Sequence, residues 1–241
     1  MKIKLIGTGG IGLCVLPVLA RFVNFNTAFE DPQIHLIDGD AYEEKNRDRQ
    51  QFNDFGNKAE VTAKDYSQQF PRIFWQAHPT YLDEVNAVRF IRNGDLVMLC
   101  VDNHNTRKIV DARAKTLQNI TIINGGNDTT DGNVIIHLKR DGVDLTPPMV
   151  SHYHQDIAQS DDLHPSQMNQ PGSCTRMAAQ TPQLVIMNNL IAANMLAAFY
   201  NLTNPQVYSD IVQKNLVNYG EIYSDLITMR TVPQQRFVQK S

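Results

Sequence analysis

Apolar positions in the first 140 residues switch repeatedly between short continuous runs and helical spacing. Lys2–Ile6, Gln33–Ile37, Asp95–Val101 and Ile120–Asn124 are short apolar runs that end on Gly, Asp or Asn, and they predict strands. Arg72–Ala77 and Gly132–Lys139 predict two more. Between them, Ile11–Phe22, Asn57–Phe70, Val85–Ile91 and Asn105–Leu117 carry apolar residues at helical spacing. Strand, crossover helix and parallel strand in alternation predict an α/β fold: a doubly wound, mostly parallel sheet with a Rossmann-like nucleotide-binding half.

The rhythm breaks between Asp141 and Gln183. Pro147, Pro148, Pro165, Pro171 and Pro182 fall there, with His152, His154 and His164, and no period holds. An irregular crossover loop of that length in a compact domain is expected to be functional or disordered. An apolar helix comes next at about 184–200, and the tail segments "QVYSDIV" and "GEIYSDLITMRTV" alternate as two or three closing strands do. The expectation is one domain over 1–241, with a nucleotide-binding core at 1–140, the loop at 141–183, and a C-terminal helix with strands at 184–241.

Composition removes several classes of function. A net charge of −3 gives no electrostatic case for nucleic acid or an anionic membrane. Cys14, Cys100 and Cys174 are odd in number, widely spaced and in no CxxC pair, which argues against a disulfide framework or a four-cysteine zinc site. The chain opens as a strand without a signal-peptide pattern, and Asn188, Asn189 and Asn194 make the 184–200 helix a buried one rather than a membrane span. A reducing cytoplasm is the expected location.

Candidate chemistry begins at "GTGGIG", Gly7–Gly12, where a strand meets a helix. Glycines there let the backbone approach a phosphate, and the helix N-terminus supplies N–H donors and a positive dipole end. Such a turn also suits a nicotinamide dinucleotide, with Asp38 on ribose hydroxyls. The residues after Asp38 favour a triphosphate: Asp40, a charged loop with Asn46, Arg49 and Gln50 in "NRDRQ", then Lys58 early in a helix. One amide and two cations would meet the charge that develops on phosphates when a bond between them breaks.

In order, "GxGGxG", "DxD", "NxxRQ", the lysine of "GxK" and "DN" after a strand, here within "LCVDNHNTR", resemble the ThiF/MoeB/HesA superfamily of adenylyltransferases related to ubiquitin-activating enzymes. The wording looks most like short stand-alone ThiF-type proteins of bacterial mobile elements. The resemblance implies an ATP site made by Gly7, Gly9, Gly10, Gly12, Asp38, Asp40, Asn46, Arg49, Gln50, Lys58, Asp102 and Asn103. In it Asp38 holds the ribose, Asn46, Arg49 and Lys58 contact the triphosphate, and Asp102 holds Mg²⁺. Arg49, Lys58 and Asp102 would act in attack of a carboxylate on the α-phosphorus. That carboxylate is commonly the C-terminus of a ubiquitin-like or sulfur-carrier protein, and the family usually forms a homodimer.

Two departures stand out. Relatives often place a helix before the first strand, with an arginine that reaches the partner's ATP; here the strand begins at residue 2, and Arg47 is the candidate substitute. The paired CxxC zinc motifs are also absent, and His152, His154 and His164 are a weaker candidate metal set. Cys174, in "QPGSCTRM", lies about where transferring relatives place a catalytic cysteine and is the candidate thioester residue. The alternatives are an NAD-dependent oxidoreductase, which leaves "NRDRQ" and Lys58 unexplained, and a catalytically inert nucleotide-binding subunit.

Overall fold

The structure is a computed structural model of the 241-residue chain, and it describes residues 1–47, 50–150, 157, 159–168, 182–204, 206 and 220–234. Its centre is a nine-stranded mixed sheet. Strands β1 (Lys2–Ile6), β2 (Gln33–Ile37), β5 (Phe74–His78), β6 (Leu96–Leu99) and β7 (Ile120–Asn127) run parallel in the spatial order β5-β2-β1-β6-β7. Beyond β7 the sheet turns antiparallel through β8 (Asp131–Arg140), β10 (Glu221–Asp225) and β11 (Arg230–Gln234), with the short β9 (Val143–Asp144) also on β8. Two-residue strands β3 (Ala41–Tyr42) and β4 (Gly56–Asn57) pair separately beside it.

Alternation along each strand explains the layers. Ile3, Leu5, Ile34, Leu36 and Met98 face one core with helices α1 (Gly10–Phe25), α2 (Lys58–Gln69) and α5 (Pro182–Thr203). Ile6, Ile37, Val97, Leu99 and Ile122 face the other, against α3 (Glu84–Phe90) and α4 (His104–Lys115). Because helices cover both faces, strands in the parallel half read as continuous apolar runs. α5 is long and apolar enough by composition to cross a membrane. Within the fold, however, its Met187, Ile191, Met195 and Phe199 are buried against α1 and the sheet. The expected core helix is therefore observed.

The predicted elements are present with small shifts at their ends. "GEIYSDLITMRTV" forms the β10–β11 hairpin, whereas "QVYSDIV" after its first residue, Gln206, lies outside the described residues. Within the irregular stretch, the described residues include β9 and a one-turn helix at Pro165–Met168.

One buried polar pair makes stability depend on pH. His35 and His78 stack with centroids 5.4 Å apart, and His35 Nδ1 lies 3.1 Å from His78 Nε2. Burial, then the nearby Lys4 charge, lowers the His35 pKa to about 4, and burial lowers that of His78 as well. Between about pH 4 and 6.5 the unfolded chain therefore binds more protons at His35 than the fold does. This contribution to stability is full above pH 6.5 and is lost as pH falls toward 4. Asp38 and Asp95, raised by burial, act with the opposite sign at their own titrations. Melting temperature should drop from pH 7 to 4.5, and the drop should shrink in His35→Gln; an unchanged drop would assign it to other groups.

Candidate active site

Chain reversal in the sheet places the site. β1 is followed by α1 on one face and β6 by α4 on the other, and β1 and β6 are neighbours. A crevice opens at the C-terminal ends of adjacent strands that diverge in this way, where α/β sheets bind ligands.

The glycine turn joins β1 to α1. Gly7 has φ +90°, and a Cβ there would stand 2.8 Å from the Cys100 carbonyl oxygen, so β1 and the end of β6 meet backbone to backbone. A Cβ at Gly12 would overlap the Gly7 carbonyl oxygen. α1 starts without a side-chain cap and without an acidic residue in its first turn. By contrast, α2, α3 and α4 are capped by Asn57, Asp83 and Asn103. The N–H groups of α1 are thus left for an anion.

Asp38, at the end of β2, is tied to that turn. Its Oδ2 accepts from the Thr8 backbone N–H at 2.7 Å and the Thr8 hydroxyl at 2.9 Å, and its Oδ1 accepts from the Asp40 N–H at 2.8 Å. Burial pushes the Asp38 carboxyl up, while the Lys58 charge and the Asp40 and Thr8 N–H groups pull it back. A carboxylate offers about four lone-pair directions. Among the described residues three are used here, and one on Oδ1 is open to a further donor.

Asp40 and Lys58 extend the chain of contacts. The buried Lys58 ammonium lies 3.2 Å from Asp40 Oδ2, and the Tyr81 hydroxyl donates to Asp40 Oδ1. Tyr81 crosses Gly39, where a Cβ would come within 2.5 Å of its ring. Asn57 locks the acidic loop onto α2: its Nδ2 donates to the Asp38 and Asp40 carbonyls, and its Oδ1 accepts from Ala59 and Glu60. Lys58 is therefore already partnered with Asp40, with two of its three donors open to another acceptor among the described residues.

Asn46 and Gln50 come from the charged loop. Asn46 is buried, its Oδ1 accepting from the Glu43 N–H in a short 3₁₀ turn at Glu44–Asn46. Gln50 is 9% exposed, its Nε2 faces Gly9, and among the described residues its Oε1 has no hydrogen-bond partner. Arg49 and Cys174 lie outside the described residues, as do His152 and His154. Arg47 is committed to its own loop, donating to Glu44 at 2.9 Å with its guanidinium over Phe52 and Phe55. Both ring nitrogens of His164 are engaged, by Ser166 and the Leu82 carbonyl. Cys100 is buried and its thiol is pushed up by burial; Cys14 is half-buried and packs on the core.

Across the crevice, Asp102 is exposed just past β6, and Asn103 caps α4 through the Thr106 N–H at 2.8 Å. No group of three or more His, Cys, Asp or Glu among the described residues is arranged to hold a metal. A lone exposed carboxylate fits Mg²⁺, which takes few carboxylates together with phosphate oxygens.

Several contributors were not apparent in the motifs. Buried Arg107 draws the ends of β6 and β7 together, donating to the Val101 carbonyl at 2.8 Å and Asn124 Oδ1 at 3.2 Å. Asp162 Oδ2 accepts from the His104 N–H at 2.9 Å, docking the segment before Pro165 at the start of α4. Asn57 had a local signal, a cap residue just before a helical pattern. Thr8 and Arg107 lie within "GTGGIG" and "LCVDNHNTR" but were not singled out there, and Tyr81 and Asp162 had no signal, because only the fold brings them to the crevice.

Comparison with known proteins agrees with this fold. "Adenylyltransferase and sulfurtransferase UBA4" of Saccharomyces cerevisiae is 27% identical over 139 residues, covering 56% of this chain and 30% of the relative. The protein of that name from Vanderwaltozyma polyspora is 24% identical over 206 residues, covering 83% of this chain and 42% of the relative. The chain thus spans less than half the length of these curated relatives. E. coli MccB superposes with a TM-score of 0.66 at 18% identity, covering 98% of this chain and 63% of MccB. PaaA does so at 0.62 and 19%, covering 98% and 64%. MccB has also been solved with ATP, a structure that superposes at 0.64 and 18%, covering 98% and 63%. These structures share the fold. The adenylyltransferase named in the yeast relatives is the enzyme class that the motifs imply. The ThiF family model matches residues 1–236, from the first strand through the closing hairpin, and the chain belongs to the ThiF family.

Proposed function

We propose that the protein uses ATP and Mg²⁺ to adenylate a carboxylate, the C-terminus of a ubiquitin-like or sulfur-carrier protein. The observation that carries this is the continuous hydrogen-bonded path from the glycine turn through Asp38 and Asp40 to Lys58. That path links the Asp38 carboxylate, the uncapped N-terminus of α1 and the buried Lys58 cation, which supports a nucleotide contact there, and Asp102 stands just past the neighbouring strand β6.

A carboxylate oxygen attacks the α-phosphorus, the bond from that phosphorus to the bridging oxygen breaks, and acyl-adenylate and pyrophosphate result. The α1 N–H groups hold phosphate oxygens, Lys58 places its remaining donors on the departing charge, and Asp38 fixes the nucleoside. Mg²⁺ would be held by Asp102 and would supply charge neutralisation. Arg49 is proposed as a second cation at the triphosphate. In a second step the Cys174 thiolate takes the acyl group as thioester and AMP leaves. Cys174→Ala would then keep pyrophosphate exchange and lose any thiol-sensitive adduct; an adduct that persists would exclude this thiol. Homodimer formation is part of the proposal, and exposed Val18 and Phe25 on α1 with Ile186 and Tyr200 on α5 give apolar surface for it.

Calorimetry tests the nucleotide assignment. The wild type should bind ATP–Mg²⁺ and not NAD. Lys58→Ala should weaken ATP by about 10–100-fold, a charged hydrogen bond's worth, and AMP by much less. Equal losses for ATP and AMP would mean that Lys58 serves only to hold Asp40.

A further inference from the structure

One side chain outside every sequence motif touches the acidic loop. Tyr81 follows β5, the neighbour of β2, and its ring lies across Gly39, between Asp38 and Asp40. A Cβ at Gly39 would come within 2.7 Å of three ring atoms, so glycine is what leaves room for the ring there. The Tyr81 hydroxyl donates to Asp40 Oδ1, while Asp40 Oδ2 faces the Lys58 ammonium at 3.2 Å. The phenol thus takes one oxygen of the carboxylate and leaves the other to the cation.

Tyr81 is itself held. Its carbonyl accepts from Asn86 Nδ2 at 2.9 Å, and Asn86 closes a capping box with Asp83 at the start of α3. His164 meets the ring edge-on, centroids 6.1 Å apart, and donates from Nε2 to the Leu82 carbonyl at 3.0 Å. A hydroxyl on a ring fixed in this way also fixes the carboxylate that it binds. An aspartate beside a buried lysine can otherwise turn about χ2 and offer both oxygens to the ammonium. With Oδ1 taken by a neutral donor, Asp40 holds Lys58 through Oδ2.

We propose that Tyr81 is a positioning residue for nucleotide binding: through Asp40 it sets where Lys58 presents its open donors to the phosphates. Tyr81 acts through these two side chains and touches no phosphate itself. This rests on the ATP site proposed above, with Lys58 as its cation.

The test is a double-mutant cycle on the intact chain, read by calorimetry with ATP–Mg²⁺ and with AMP, with melting temperature as the control for folding. Tyr81→Phe keeps the ring over Gly39 and removes only the hydroxyl. It should weaken ATP by about three- to tenfold and leave AMP within about twofold. In the Lys58→Ala background the same change should shift ATP binding by less than about twofold, because the cation that it positions is gone. An equal loss with and without Lys58 would show that the hydroxyl serves the fold of the loop and would overturn the positioning role. Unchanged ATP binding in Tyr81→Phe, or equal losses for ATP and AMP, would overturn it too, and each would leave the ATP site standing. A folded wild type that binds no ATP would overturn the ATP site itself and this role with it.

Discussion

Asp102→Ala is expected to keep its fold and to lose ATP–pyrophosphate exchange by at least about a hundredfold, or about 2.7 kcal/mol of barrier. The fold should survive because Asp102 is exposed and Asn103, not Asp102, caps α4. The melting temperature should therefore stay within about 2 °C of wild type, as for surface substitutions generally. The rate should not survive, because no cluster of ligands among the described residues could hold the metal in its place. A fall of less than about tenfold would remove Asp102 from the mechanism.

Gly12→Ala should damage the molecule by a different route. The new methyl would overlap the Gly7 carbonyl oxygen, with Gly7 C at 3.2 Å and Leu5 Cδ2 at 3.5 Å behind it. The obstructing atom is backbone, in a turn already fixed by Gly7 at φ +90°, so no rotamer change relieves it. A cost of about 3 kcal/mol, the upper part of the range for overpacking, would lower the melting temperature by roughly 6–12 °C in a chain of this size. ATP binding should fall with it, since the same turn presents the α1 N–H groups. Gly9→Ala is the control: its Cβ would meet only Gln50 Nε2, at 3.9 Å. If Gly12→Ala and Gly9→Ala melt together, close packing of the turn is not what requires glycine.

The parallel half of the sheet was legible because burial on both faces leaves continuous apolar runs, and β1 and β2 fall where those runs predict them. β3, β4 and β9 were not, since two residues carry no period. In the site, Asp38, Asp40, Asn46, Gln50 and Lys58 stand within a window short enough for their order to carry meaning. Their pairing was hidden. Lys58 alone suggests a cation awaiting phosphate, whereas the fold gives it to Asp40, because Asn57 holds the Asp38–Asp40 loop on the first turn of α2. Tyr81 gave no sign of its place beside that loop. Its contact with Asp40 depends on β5 pairing beside β2, which no local pattern encodes. The glycine pair Gly125-Gly126, just past the predicted run Ile120–Asn124, lies within β7. Met195 of α5 crowds the first and Arg107 the second, and neither neighbour is near in sequence.

The most direct measurement is exchange of labelled pyrophosphate into ATP, with a ubiquitin-like or sulfur-carrier protein supplied either with a free C-terminal carboxylate or with that terminus amidated. Adenylation predicts exchange with the free carboxylate and none with the amide, because only a carboxylate oxygen can attack the α-phosphorus and be displaced again by pyrophosphate. Exchange equally fast with both carriers, or NAD binding without any ATP binding, would contradict it.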